Sequence, residues 1–395
     1  MNSAHKPTCL CRVRRKDSRG LNLLFMKGIG RKFAARNSKL ETTLDDPSSK
    51  QIVFGGRYLI WVRNLFRISI FGFRLYGQFR LPRLEDQRGV ALVLTLLVLT
   101  LLVVTGLEMN RAVRVEATLA ENFRDLTQAS CIAQSGVEVA RALIQNDNPV
   151  YDGPDESWAQ FENLALLSSG FFPAGSFSGR IADENSRFNP NRLLDSYGNV
   201  NLKKREQLDR LLSLLGHPAD WMDALLDWMD PDDQPRPGGA EREFYLSKKK
   251  PHPAKNGPLD SLEELLLIKG VDPFLLYGGE GKEGLKDYLT VHSDGRININ
   301  TASPAMIMSL SPKIDQTMAQ AVIAYRREKS FQNPEALRSL PGWDAVYPSI
   351  SSEITVQSNY FSIEVVGNYH EARALVQAVV RREGRRTRVL SWKAG

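Results

Sequence analysis

From Val90 to Leu107 the chain runs for 18 residues without a charge, VALVLTLLVLTLLVVTGL. As a helix this run spans roughly 27 Å at about 1.5 Å per residue, long enough to cross a bilayer. A simple anchor would end there. Instead the apolar pattern continues into EMNRAVRVEATLAENFRDLTQASCIAQSGVEVARALIQN with no Gly-Pro break or turn cluster. Leu107, Val113, Val115, Leu119, Phe123, Leu126, Ile132, Val137, Val139, Ala140 and Leu143 recur mostly at three- and four-residue spacing. This predicts one helix running to about Gln145, its first third in lipid and its remainder amphipathic.

The 395 residues, 42% hydrophobic, suit two or three small domains with one membrane segment. The net charge of +7 hides an asymmetry: through Arg88 there are 19 Lys and Arg against 6 Asp and Glu, and beyond it 33 against 39. By the positive-inside rule, residues 1–88 are expected in the cytoplasm and everything after Leu107 outside it. Within that flank, Gln51–Arg80 mixes basic and aromatic residues suited to an anionic membrane surface. Cys9-x-Cys11 has no ligand partner nearby, which argues against a metal site. The exported part keeps one cysteine, Cys131, so cysteine usage neither requires nor excludes an oxidising compartment.

After Gln145 the turn-rich NDNPVYDGPDE closes the long helix. A short amphipathic piece follows, Trp158 to Leu167, and then SFSGRIADENSRFNPNRL, which reads as strand, turn and strand. SDGRININTASP says something similar: both carry Arg, an apolar residue, Asn, any residue, Asn, at Arg187–Asn191 and Arg296–Asn300. Each precedes a helical pattern. The pair reads as two related strand-to-helix corners with Asn191 and Asn300 or Thr301 as caps; coincidental Asn-rich turns are the alternative. Between them lies a helical insert, with Leu208, Leu211, Leu212 and Leu215, then Trp221, Leu225 and Trp228, on buried faces. DSLEELLLIKGVD is expected as a helix opened by Asp260 or Ser261 and closed by Gly270. SPAMIMSLSP, IDQTMAQAVIAYRREKS and NPEALRSLPGW add helices, and YFSIEVVGNYH, ARALVQAVVRREG and RRTRVLSWKAG alternate as strands. The expected fold class is α+β: a long N-terminal helix on a small antiparallel sheet, with an inserted all-α domain. The expected divisions are a basic leader 1–89, a membrane segment 90–107, an exported helix 108–147, sheet parts 148–192 and 346–395, and a helical insert 193–345.

The densest polar group is DWMDPDDQPRPGGAEREFY. Asp227, Asp230, Asp232, Asp233, Glu241 and Glu243 place six carboxylates in one short stretch around a Pro-Gly-Gly turn. Such a group repels itself unless it is solvated or bridged by a cation, and hard oxygen donors suit calcium. The spacing is not that of an EF-hand. A solvated acidic helix end, with Lys248, Lys249 and Lys250 nearby, is the bland alternative.

Arg88-Gly89 at the polar edge of an apolar helix resembles the processing site of type IV pilins and type II secretion pseudopilins. The resemblance implies that the prepilin peptidase cuts between Gly89 and Val90 and methylates the new amine. Leaders in that family are commonly short, whereas 89 residues precede this cut, so an upstream start-codon assignment stands beside a translated leader. The fifth residue after the cut is usually Glu, a carboxylate that needs a partner in hydrocarbon; here it is Leu94. That departure, with DWMDPDDQPRPGGAEREFY, LDSLEELLLIKGVD and RININTAS in this order, resembles the minor pseudopilin K (GspK) family over about Gly89 to Lys393. By motif position the resemblance assigns calcium to Asp230, Asp232, Asp233 and Glu241, with Asp227 and Glu243 as further candidates. Lys248–Lys250 and His252 depart from the Pro and aromatic residues expected there.

The resemblance implies a non-enzymatic protein of the inner membrane, single-pass, with its C-terminal part in the periplasm. Its partners would be the minor pseudopilins I and J, the major pseudopilin and the prepilin peptidase. It would sit at the pseudopilus tip, initiate assembly and support secretion across the outer membrane. A type IV minor pilin-like protein is one alternative. An exported DNA-binding helix-hairpin-helix protein is another, since INTASPAMIMSLSPKIDQTMAQAVIAYRREKS resembles such pairs. Its first hairpin lacks glycines, Lys313 is the cation there, and the mildly acidic exported chain offers little phosphate attraction, so no nucleic acid is expected. G-x-S-x-G, H-E-x-x-H and Walker patterns are absent and the five histidines are scattered, which argues against an enzyme.

Overall fold

The structure is a computed structural model and describes residues 87–147, 150–279 and 281–395. The basic leader up to residue 86 and its Cys9-x-Cys11 pair lie outside the described residues. Among the described residues, those from Gln87 to Ala117 fall in one compact unit and those from Thr118 in another.

The described part of the first unit, from Gln87, is helical. It holds the start of α1 (Gln87–Asn146), which ends within a residue of the expected Gln145. Among the described residues this is the one helix long and apolar enough to cross a membrane. Gly89, Val90 and Leu94 are all exposed on it.

The second unit begins on the same helix. In chain order it continues with α2 (Phe161–Leu166), β1 (Gly175–Asp183), α3 (Leu202–Leu215), α4 (Met222–Met229), α5 (Arg242–Leu246) and β2 (Ile297–Asn298). Then come α6 (Pro304–Ser309), α7 (Gln316–Glu328), α8 (Trp343–Ile350), β3 (Ile354–Thr355), β4 (Tyr360–Tyr369), β5 (Ala372–Glu383) and β6 (Arg386–Ala394). The main sheet has the order β1-β4-β5-β6, every neighbour antiparallel, with a bulge at Leu390 of β6 opposite Val379 and Val380. β1 pairs from Gly175 opposite Tyr369 to Asp183 opposite Phe361, so the strands joined there are separated in sequence by the whole helical region.

The C-terminal half of α1 covers one face of this sheet. Ile132, Ala133, Val137, Ala140 and Ile144 recur with helical periodicity and pack with Phe361, Ile363 and Val365 of β4 and Val376, Ala378 and Val380 of β5. The approach is close enough to exclude side chains at two points. A Cβ on Gly136 would meet Val365 at 2.7 Å, and one on Gly367 would meet the Ala129 carbonyl at 2.1 Å. Leu119, Phe123 and Leu126, part of the same apolar stripe, remain exposed.

The second core runs from Phe188 to Val356 and is helical. It contains the same unit twice. Two helices are followed by a 3-10 helix, Leu262–Leu267 in the first copy and Pro334–Ser339 in the second, capped by Ser261 and Asn333. Leu259–Val271 (LDSLEELLLIKGV) and Phe331–Trp343 (FQNPEALRSLPGW) align residue for residue, and their glycines, Gly270 and Gly342, both have positive φ, 86° and 82°. A parallel pairing begins each copy: Phe188 with Leu289, and Ile297 with Ile354. One difference separates them. Lys329 and Ser330 alone link α7 to Phe331, whereas Asp230–Pro258 is inserted between α4 and Leu259.

The two corners therefore do share a structure, but their second asparagines do not cap the helices that follow. Asn191 accepts from the Leu259 amide at 2.7 Å and donates to its carbonyl at 3.0 Å. Asn300 does the same to Phe331, at 2.8 and 2.9 Å. The helix caps are Asn201 and Ser303 instead. A side-chain amide holding both polar groups of one residue substitutes for a strand neighbour, which a one-turn cap cannot do. The expected second strand after β1 is likewise replaced, by 3-10 turns Glu184–Ser186 and Pro190–Arg192.

Buried polar groups join the two cores. Asp183, at the end of β1, accepts from Thr301 Oγ1 (2.5 Å), Ser358 Oγ (2.7 Å), Asn298 Nδ2 (2.9 Å) and its neighbour Asn185 N (2.8 Å). Four donors on a fully buried carboxylate offset much of its desolvation.

Candidate metal centre

The acidic stretch starts on α4. Asp227 and Asp230 are three residues apart, so a helical turn places them on one face, and Asp230 is the extended residue that ends the helix before Pro231. The chain then makes an exposed excursion and returns through Gly239 and Ala240 to Glu241, the residue before α5. Asp227, Asp230 and Glu241 each bring a carboxylate oxygen within 4.8 Å of the others, and all three are buried.

Two devices hold the return. Gly239 crosses directly over Asp227: a Cβ there would lie 1.7 Å from Oδ2, so any other residue would displace the Asp227 carboxylate. Lys269, just past the first 3-10 helix, donates to the Gly239 carbonyl at 3.0 Å. Arg236 then enters from the loop, its Nη1 bonded to Asp227 Oδ1 at 2.6 Å and also to Asp230 Oδ2, while its amide donates to Asp227 Oδ2 at 3.1 Å.

One guanidinium thus faces three carboxylates. Asp230 Oδ1 and both oxygens of Glu241 are buried without a hydrogen-bond partner among the described residues. Burial, then the charges of Asp227 and Asp230, pushes the Glu241 carboxyl up to about 7. Burial also raises Asp230, against the pull of Arg236. Orphaned carboxylate oxygens in a site with excess negative charge are what a hard divalent cation requires, so these residues fit calcium. Asp227, Asp230 and Glu241 are the residues that would hold it.

The structure separates the other candidates from this group. Asp232 and Asp233 are exposed, accepting from Gln234 N (2.8 Å) and Asn256 Nδ2 (3.2 Å). Glu243 is exposed on α5. Nor does Lys248 neutralise the centre: its Nζ lies over the rings of Phe244 and Tyr245, at 5.1 and 5.0 Å. The signal that favoured Asp227 was present in the chain, as the three-residue helical spacing to Asp230.

In the helix-hairpin-helix-like second copy, Arg326 turns inward and donates to the carbonyls of Ile299 and Ala302, both at 2.8 Å. Burial lowers it to about 10. That removes one of the cations a phosphate-binding face would use.

Two family models, both described as type II secretion system (T2SS) protein K, match residues 186–277 and 297–357. Those ranges correspond to the two copies of the helical unit. The chain is 28% identical to the type II secretion system protein K of Klebsiella pneumoniae, over 78% of this chain and 97% of that one. It is 25% identical to the protein of the same name from Aeromonas hydrophila, over 76% and 94%. Its fold matches a chain in the crystal structure of the GspK-GspI-GspJ complex of enterotoxigenic Escherichia coli, with a TM-score of 0.53 at 20% identity, covering 72% of this chain and 99% of that one.

Proposed function

Because the chain belongs to the type II secretion system protein K family, we propose that it is a minor pseudopilin that caps the pseudopilus. In this reading Val90 becomes the N-terminus after cleavage behind Gly89, and the helix that follows lies in the inner membrane with the rest of the chain in the periplasm. The protein assembles with minor pseudopilins I and J, the complex initiates the pseudopilus, and secretion across the outer membrane depends on it. Its role is structural, not catalytic.

The observation that carries the reading is the insertion of an entire helical core, Phe188 to Val356, between the neighbouring strands β1 and β4 of a pilin-like helix-on-sheet unit. So bulky a subunit is tolerated where no subunit stacks above it. Two features support it. Leu94 replaces the acidic residue with which a stacked subunit would meet its neighbour's terminal amine. Leu119, Phe123 and Leu126 form an exposed apolar surface on α1, suited to the helices of partner subunits.

Calcium at Asp227, Asp230 and Glu241 belongs to the same reading. There it ties the inserted loop to α4 and so fixes the outer surface of the helical region.

The test is intact-mass and N-terminal analysis of the protein from membranes containing the prepilin peptidase, followed by co-purification with subunits I and J. A chain beginning at methylated Val90 that retains both subunits is the expected result. An uncleaved chain, or a cleaved one that binds neither subunit, would overturn it.

A further inference from the structure

Apolar side chains that the core does not use crowd the outer side of α2. Phe161 and Ala165 turn into the core shared with α1. Ser168, in the 3-10 turn Leu167–Gly170 that extends the helix, is held to β1: its hydroxyl donates to the Phe177 carbonyl and accepts from the Phe177 amide, both at 2.9 Å. Those inward positions lie three and four residues apart, which leaves Leu164, Leu167 and Phe171 outward at the same kind of spacing, with Leu166 beside them. Leu166 is 71% exposed, Leu167 67% and Phe171 54%. From Trp158 to Ser178 the one charged residue is Glu162. Large apolar side chains clustered in water with so little charge around them mark an interaction surface for an apolar partner.

Phe177 of β1 fixes where this patch lies. Its ring stacks on Phe161 at 5.9 Å, and a Cβ on Gly136 of α1 would meet it at 3.0 Å, so α1 and α2 rest on the same face of the sheet. α1 arrives there from the exposed stripe Leu119, Phe123 and Leu126. Between Leu126 and Gly136 it rises roughly 15 Å, fewer than three turns. Val139, within a turn beyond Gly136, is exposed as well.

We propose that Leu164, Leu166, Leu167 and Phe171 continue the α1 stripe as one docking surface, and that its occupant is the long apolar helix of a partner minor pseudopilin. The inference rests on the pseudopilin reading and deepens it by placing a second contact beyond α1. A helix packed along Leu119, Phe123 and Leu126 that keeps its direction reaches the level of α2 within about three turns. Side chains spaced three and four apart form a ridge that fits between the turns of another helix. Held by α1 alone, such a helix is free to roll; a second row on α2 fixes its rotation and so the register between the two subunits.

The experiment is photo-cross-linking of the full chain in cells that make subunits I and J, with a photoreactive amino acid placed in turn at Leu166, Leu167, Phe171 and, as an exposed control in the helical region, Tyr197. Cross-links from the first three positions to the helix of subunit I or J, and none from Tyr197, are the expected result. Leu166→Asp/Leu167→Asp, which leaves the inward Phe161, Ala165 and Ser168 in place, should melt like wild type yet retain the partner about tenfold more weakly. Cross-links between two copies of this chain would overturn the proposal by naming a different occupant. Wild-type retention of both subunits with no cross-link from any of the three positions would overturn this surface alone. Retention of neither subunit by wild type would overturn the pseudopilin reading and this inference with it.

Discussion

Asn300 and Phe331 are joined by two hydrogen bonds, one in each direction: the asparagine amide donates to the Phe331 carbonyl at 2.9 Å and accepts from its amide at 2.8 Å. Asn191 and Leu259 repeat the arrangement in the other copy of the helical unit. Asn300 is buried, whereas Asn191 is half-buried. Asn300→Ala leaves two buried backbone groups unpaired, at about 1–3 kcal/mol each. Thermal unfolding should show a larger loss for Asn300→Ala than for Asn191→Ala, with Asn300→Asp, which keeps the acceptor alone, in between. Wild-type melting of Asn300→Ala would remove the clamp from the account of stability.

Gly367 tests the approach of α1 to the sheet. A Cβ there would sit 2.1 Å from the Ala129 carbonyl and 2.5 Å from the Ala133 amide, both backbone atoms that cannot rotate away. Gly367→Ala should cost on the order of 1–3 kcal/mol or more through overpacking. Gly170→Ala, with no atom within 4 Å of the new methyl, is the control and should melt like wild type. Equal melting of both variants would mean that the helix can shift to make room.

The acidic turn has a calculable pH signature. Glu241 rises from 4.5 to about 7, so between those values the folded state binds more protons than the unfolded state. Stability in chelator should therefore fall as pH rises from about 4.5 to 7 and then level. Calcium binds the ionised group, so its stabilising shift should grow over the same window. Melting curves with calcium and with chelator, at several pH values, read both effects. Asp230→Ala should reduce the calcium shift, and Asp232→Ala, at an exposed residue, should preserve it. A calcium shift left undiminished by Asp230→Ala would exclude this centre.

Leu94→Glu returns the acidic residue usual in pilins to the fifth position after the expected cut. A carboxylate within the apolar segment costs on the order of 2–3 kcal/mol unless it finds a partner. If the subunit caps the pseudopilus, secretion should fall with Leu94→Glu and stay near normal with Leu94→Ala. Normal secretion by Leu94→Glu would count against a role for this position at the tip.

Periodicity carried much of the architecture. The three- and four-residue spacing from Leu107 to Leu143 placed the end of α1 near Asn146, and the alternation after Tyr360 placed three strands. The caps failed at Asn191 and Asn300 because an asparagine before a helix is ordinarily a cap, while the actual partners lie 68 and 31 residues further along the chain. The carboxylates show the same limit. Asp232 and Asp233 adjoin Asp230 in sequence but lie beyond the break at Pro231, on the exposed side.

Local chemistry alone decided the membrane-length helix, the helical and strand segments and the presence of an acidic turn, because each depends on periodicities and propensities within a few residues. Tertiary structure decided which carboxylates meet. Glu241 reaches Asp227 only because the loop returns over Gly239, held there by Lys269. Asp152 meets Arg382 only because the end of α1 packs against β5. Those groupings are long-range contacts fixed by packing, and no local pattern encodes them.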